Sequence, residues 1–143
     1  MFLVSACLAG IKCRYNGSSK PECEIVDLFR SGEVIAVCPE QLGGLTTPRL
    51  PSQFYGGTGD DVLDGKAKLL RADGLDITAN YIEGAHAVLR IMKELNLSKA
   101  VLKARSPACG VGEVWRENNL VKGYGVCASL LLREGYQVIA GGV

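Results

Sequence analysis

Three cysteines of this 143-residue chain each follow a short apolar run and stand in a stretch rich in glycine and proline: Cys7 in SACLAG, Cys38 in CPEQLGG and Cys109 in RSPACGVG. Parallel strands deliver the residues that follow them to one edge of a sheet, so side chains remote in sequence meet in a crevice there. Three soft thiolates in a crevice suit a metal centre, an iron–sulfur cluster above all. They are too dispersed for the tight spacing of ferredoxin-type motifs, so the fold, not a local loop, has to hold such a site ready. A missing fourth thiolate leaves one iron open, and a vacant coordination position is where a catalytic metal takes a substrate atom.

The other cysteines read differently. Cys127 falls on the apolar face of the last predicted helix with Val126, Leu130 and Leu131, as a core filler does. Cys23 opens a helix in a polar stretch, with no chemical context. Cys13, in KCRYNG, either fills core or reaches the crevice as a fourth ligand or resolving thiol. There is no C-x-x-C and only one histidine, His86, mid-helix among apolar neighbours. Zinc-ribbon, C2H2 and HExxH readings therefore fail for want of ligands, and zinc on four scattered thiolates is a weaker alternative. The start MFLVSACLAG has no basic n-region and breaks at Gly10, too short for a signal peptide or a membrane span. A cytoplasmic protein is expected, and in reducing cytosol six cysteines point to metal, catalysis or buried thiols before disulfides.

Positioning such a site falls to a chain of ordinary composition. With 16 basic and 15 acidic residues the formal net charge is +1, which predicts neither nucleic acid nor an anionic membrane as partner. The length is that of one domain, and folding at this size buries roughly 68–70% of the unfolded chain's surface. FLVSA (2–6), EVIAV (33–37), KAVLK (99–103) and YQVIA (136–140) read as buried strands. Helices are predicted at 22–31, at 78–95 with Thr78 as N-cap and Ile82, Ala85, Leu89, Met92 and Leu95 on one face, and at 124–134. Gly10–Pro21 reads as a loop over the crevice and 43–59 as irregular. Gly56-Gly57-Thr58-Gly59 lacks the lysine of a phosphate loop and reads as a flexible turn. Asp64-Gly65 predicts a tight hairpin over 61–72. The alternation implies an α/β single domain, Rossmann-like, with a mainly parallel sheet, flanking helices and a small β-hairpin insertion.

The segments VSACLAG, CRYNG, CPEQLGGLTTPR, LKARSPACG and GYGVCASLL, in this order across nearly the whole chain, resemble those of the TudS-type thiouracil desulfurases. The resemblance implies a [4Fe-4S] cluster on Cys7, Cys38 and Cys109, supplied by iron–sulfur assembly machinery. Its uncoordinated iron would take the sulfur of a small-molecule thiolated pyrimidine, with net hydrolysis to the oxo product and sulfide and no external redox input. Two further residues carry over by motif: Glu40 of CPE and Ser106 of RSPACG. Exchanging C=S for C=O needs a water made nucleophilic and an atom reprotonated, work for a carboxylate; Ser106 would shuttle a proton or place the substrate. Arg14, Arg49, Lys103 and Arg105 would balance the negative charge of a three-thiolate cluster or grip a phosphate. Two other classes remain open on the residues alone: a cluster-free thiolate enzyme using Cys109, and a non-catalytic protein that binds metal or nucleotide.

Overall fold

Strands and helices alternate from the first residues in a computed structural model that describes residues 1–143. The first half holds β1 (Phe2–Ser5), α1 (Cys23–Arg30), β2 (Val34–Val37), α2 (Pro39–Leu42), β3 (Ser52–Tyr55), α3 (Gly59–Leu63) and β4 (Lys68–Arg71). The second holds α4 (Thr78–Glu94), β5 (Lys99–Lys103), β6 (Glu113–Arg116), β7 (Asn119–Lys122), α5 (Val126–Arg133) and β8 (Gln137–Gly141). The four apolar runs read as strands pair in parallel, in the order β2-β1-β5-β8. Parallel strands need both faces covered, and β1 shows why its run is apolar throughout. Leu3 joins a large buried cluster with Ala85, Val88, Met92 and Leu131 from α4 and α5, while Val4 joins a smaller one with Leu8, Ile25 and Val34 beneath α1.

A second, mixed sheet, β4-β3-β6-β7, shares the larger cluster through Phe54, Leu69 and Val114. It corrects the reading of 43–72. The supposed irregular stretch contains β3, and β4 pairs antiparallel with β3, not with residues just before it. Asp64-Gly65 is a helix stop in place of a hairpin turn: the Asp61 carboxylate accepts the Thr58 N–H at 2.9 Å at the start of α3, and Gly65 takes a φ of 75° just past its end. Gly59 N–H is tied to the Tyr124 carbonyl at 2.8 Å, so the glycine run is a fixed turn. The hairpin lies further on, at β6–β7, where Glu117 and Asn118 both have positive φ. That is the turn a two-residue hairpin prefers, though Glu-Asn is not among its usual signals. Smaller corrections touch α4. Ile77, not Thr78, is the capping position, and Thr78 Oγ1 instead accepts the Leu69 N–H at 2.9 Å; Leu95 is exposed while Tyr81 and Val88 are buried.

α2 was not foreseen, and it matters because it carries Glu40. Pro39 opens it at the position where a missing N–H is harmless. Its backbone meets that of α4 directly: a Cβ on Gly84 would lie 2.0 Å from the Pro39 carbonyl oxygen, and one on Gly43 2.0 Å from that of Asn80. Gly84→Ala should therefore destabilise the protein by about 1–3 kcal/mol, although alanine is the better helix former. Urea unfolding measures this, and a variant as stable as the parent would contradict the close crossing.

Candidate active site

The carboxyl ends of β1, β2 and β5 face one way, and beyond them opens a crevice of about 470 Å³. Cys7 reaches its wall from the 3-10 turn that ends β1, and Cys38 from the junction of β2 and α2. The loop after β5 brings Ser106 to the same wall, with Cys109 buried behind it. Cys13 also lines the crevice: the Cys38 thiol faces the Cys13 carbonyl oxygen at 3.8 Å, and the Cys13 thiol is influenced by those of Cys38 and Cys7. The structure thus puts two of the three expected cysteines, Cys7 and Cys38, on the crevice wall and adds Cys13, while Cys109 is buried outside the lining. Cys127 is fully buried on α5, Cys23 is exposed, and no cysteine is in a disulfide. His86 is exposed on α4, outside the crevice.

The thiols of Cys13, Cys38 and Cys109 are all pushed above the usual thiol range. Contact with Cys38 pulls Cys13 down, but contact with Cys7 and burial outweigh it and take it to about 11. Contact with Cys13, then burial, pushes Cys38 far above the usual thiol range. Burial takes Cys109 up to about 12 against hydrogen bonding to Ser5. A metal that binds here displaces protons. Cys109 is only 4% exposed, so burial and a raised pKa count against the cluster-free thiolate enzyme, which needs an accessible, acidified thiol.

No three His, Cys, Asp or Glu side chains converge as a single metal ion requires. An iron–sulfur cluster distributes its protein ligands over several irons, and a donor set of thiols without imidazole is what it uses. The residues present fit such a group and do not fit a mononuclear zinc site.

Glu40 projects from α2 into the crevice under tight control. Its Oε1 accepts from Arg49 Nε at 3.0 Å and from the Tyr81 hydroxyl at 3.0 Å, with both the Arg49 and Glu40 side chains largely buried. Arg49 is otherwise committed to the Thr46 carbonyl, Thr47 Oγ1 and the Cys13 carbonyl, at 2.9–3.0 Å. It ties the loop before β3 to the cysteine wall and has little left for a substrate. Ser106 Oγ accepts the N–H groups of Ala108 and Cys109 at 3.1 and 3.0 Å, a local turn bond that still leaves its own proton to donate.

The remaining cations gather on the same wall: Arg14, Lys20, Lys103 and Arg105 all line the crevice. Only Arg105 has a carboxylate, Glu113, at a loose 3.5 Å. Burial, then the charges of Lys20 and Arg14, press Lys103 below the usual lysine range. A second cavity, of about 520 Å³, lies beside Arg105 and is lined by Glu113, Lys122 and Tyr124 but no thiol. Among the lining residues that the sequence does not single out, three carry side chains of chemical interest. Tyr81 lies in the predicted helix 78–95 but outside its expected inward face, Lys20 sits in a polar loop, and Trp115, the only tryptophan, lies on a strand that was not recognised.

The family model described as 2-thiouracil desulfurase matches residues 2–141. The chain is 46% identical over 143 residues to YbbK of Bacillus subtilis (strain 168), described as uncharacterized, covering 98% of this chain and 95% of that one. Among solved structures it is similar to the [4Fe-4S]-dependent thiouracil desulfidase TudS, with a TM-score of 0.84 and 35% identity over 97% of this chain and 89% of that one. No helix is long and apolar enough to cross a membrane.

Proposed function

The chain belongs to the 2-thiouracil desulfurase family, and from that premise we propose that its crevice exchanges the C=S of a thiolated pyrimidine for C=O. Water supplies the oxygen and both protons, sulfide leaves, and no electrons are transferred. One observation carries the reading: the thiols of Cys7 and Cys38, from the ends of two parallel strands, line one crevice with a single clamped carboxylate, Glu40, and Cys109 lies buried after a third strand. Cys7, Cys38 and Cys109 would hold a [4Fe-4S] cluster, which when bound supplies a sulfur-seeking Lewis acid. The similar solved protein depends on such a cluster; here it would come from the cell's iron–sulfur assembly machinery.

The chain's own side chains do the rest. Glu40 Oε2 has no protein partner and takes a proton from the attacking water, then returns it to the ring nitrogen or the departing sulfide. Ser106, its Oγ held by two backbone N–H groups, donates a hydrogen bond to the substrate and keeps its proton. Trp115, 45% exposed on the crevice wall, offers a flat face for the pyrimidine ring. Arg14, Lys20, Lys103 and Arg105 exceed the charge a three-thiolate cluster can neutralise, so a substrate phosphate is favoured as their partner. Arg49 holds Glu40 and not the substrate.

Anaerobically reconstituted protein should convert 2-thiouracil and its nucleoside 5′-monophosphate to the oxo compounds with one sulfide per turnover and no added reductant. The monophosphate should be preferred in kcat/KM by about 10- to 100-fold, the worth of one charge-assisted hydrogen bond. Iron-replete protein that releases no sulfide from either compound would overturn the reading.

A further inference from the structure

Tyr81 is the one buried phenol in the crevice wall, 2% exposed and set in the first turn of α4. The rest of that helix's inner face is apolar, through Ala85, Val88, Leu89 and Met92. A hydroxyl in such surroundings has to find a partner, and this one finds Glu40 Oε1 at 3.0 Å, the oxygen that Arg49 Nε also meets at 3.0 Å. Two donors from different elements therefore saturate one carboxylate oxygen and leave the other, Oε2, without a protein partner on a residue that lines the crevice.

The spacing of the pair is set by backbone contact. Gly84, nearly one turn beyond Tyr81, abuts the carbonyl of Pro39, the residue before Glu40. Arg49 cannot do this alone, because its other bonds run to Thr46, Thr47 and Cys13, so its position follows loop and not helix. We propose that Tyr81 is a positioning residue for desulfuration: its hydroxyl anchors Glu40 Oε1 to α4, so that Oε2 alone meets the water and substrate. The assignment rests on the function proposed above. A flexible carboxylate freed of that anchor spends most of its time misdirected, and misplacement by about 1 Å can slow a reaction about 100-fold.

Tyr81→Phe keeps the ring and removes only the hydroxyl. In the reconstituted enzyme kcat should fall about 10- to 100-fold, with KM, iron content and melting temperature at parental values. A crystal structure of the variant should show the Glu40 carboxylate turned away from its parental rotamer. Parental kcat with iron bound, or a fall in kcat matched by lost iron or a lowered melting temperature, would overturn the proposal. If the parental protein itself releases no sulfide, the functional reading fails, and the Glu40 rotamer in Tyr81→Phe alone decides whether the tyrosine positions it: an unchanged rotamer refutes that too.

Discussion

Cys109→Ala will yield a folded protein that retains no iron after anaerobic reconstitution and releases no sulfide, and Cys7→Ala and Cys38→Ala will do the same. The expectation follows from where the sulfurs come from. Cys7, Cys38 and Cys109 arrive from the ends of three different strands, so losing one removes a whole side of the proposed site and no neighbouring loop can slide in to replace it. Cys109 is the sharpest case. The spare thiol, Cys13, lies near Cys7 and Cys38, whereas Cys109 is flanked by Ser5 and Ser106, and the sulfur near it outside the expected trio is that of Cys127, fully buried on α5. Cys13→Ala should therefore keep most of its iron. Iron and sulfide quantitation on the four variants checks this, with circular dichroism to confirm folding. Unchanged iron content in all three ligand variants would remove the cluster from the proposed function.

Glu40→Gln will reduce kcat by about 10²- to 10⁴-fold, the range for losing a general acid or base, while iron content and KM stay near parental values. The substitution is informative because it is nearly silent structurally. Glutamine keeps a carbonyl oxygen able to accept from Arg49 and the Tyr81 hydroxyl, so the clamp on α2 survives. What disappears is the atom able to take and return a proton. Replacing Glu40 also removes the charge opposite Arg49, so the salt dependence of stability will change. The two variants separate two roles: a cysteine variant fails because nothing is bound, and Glu40→Gln fails with the cluster in place. Steady-state rates together with the cluster's visible absorption distinguish them. Parental kcat in Glu40→Gln would end the role assigned to this carboxylate.

The parts of the molecule legible from residues alone are those governed by short-range order. FLVSA, EVIAV and KAVLK could be read as buried strands because an unbroken apolar run of that length has few other uses, and they pair in parallel as expected. The longest helix was equally plain, because its apolar residues recur at helical spacing over 17 residues. Placing Cys7, Cys38 and Cys109 just past those strands led to the expectation that they meet at one sheet edge, where Cys7 and Cys38 line the crevice and Cys109 lies buried outside its lining, and the five motifs sufficed to identify the family. Short strands of mixed pattern were another matter. β3, β6 and β7 have four residues each with polar and apolar side chains mixed, and their sheet is anchored by Phe54 on β3, Leu69 on β4 and Val114 on β6, with Val121 of β7 packed against the same cluster. Asp64-Gly65 shows the same limit, since a pair suited to a hairpin also suits a helix end and only the neighbouring Thr58–Asp61 contact selects between them.

Sequence by itself determined the chemistry on offer: soft sulfur donors at strand ends, an acid two residues from one of them, and a family of desulfurases. Tertiary structure alone decided which groups control that acid. Arg49 holds Glu40 because its loop folds back on the cysteine wall, and Tyr81 reaches it because two glycines let α2 and α4 touch backbone to backbone. Local pattern carries no record of such meetings, for the angle and depth at which two helices cross depend on contacts between residues far apart in the chain.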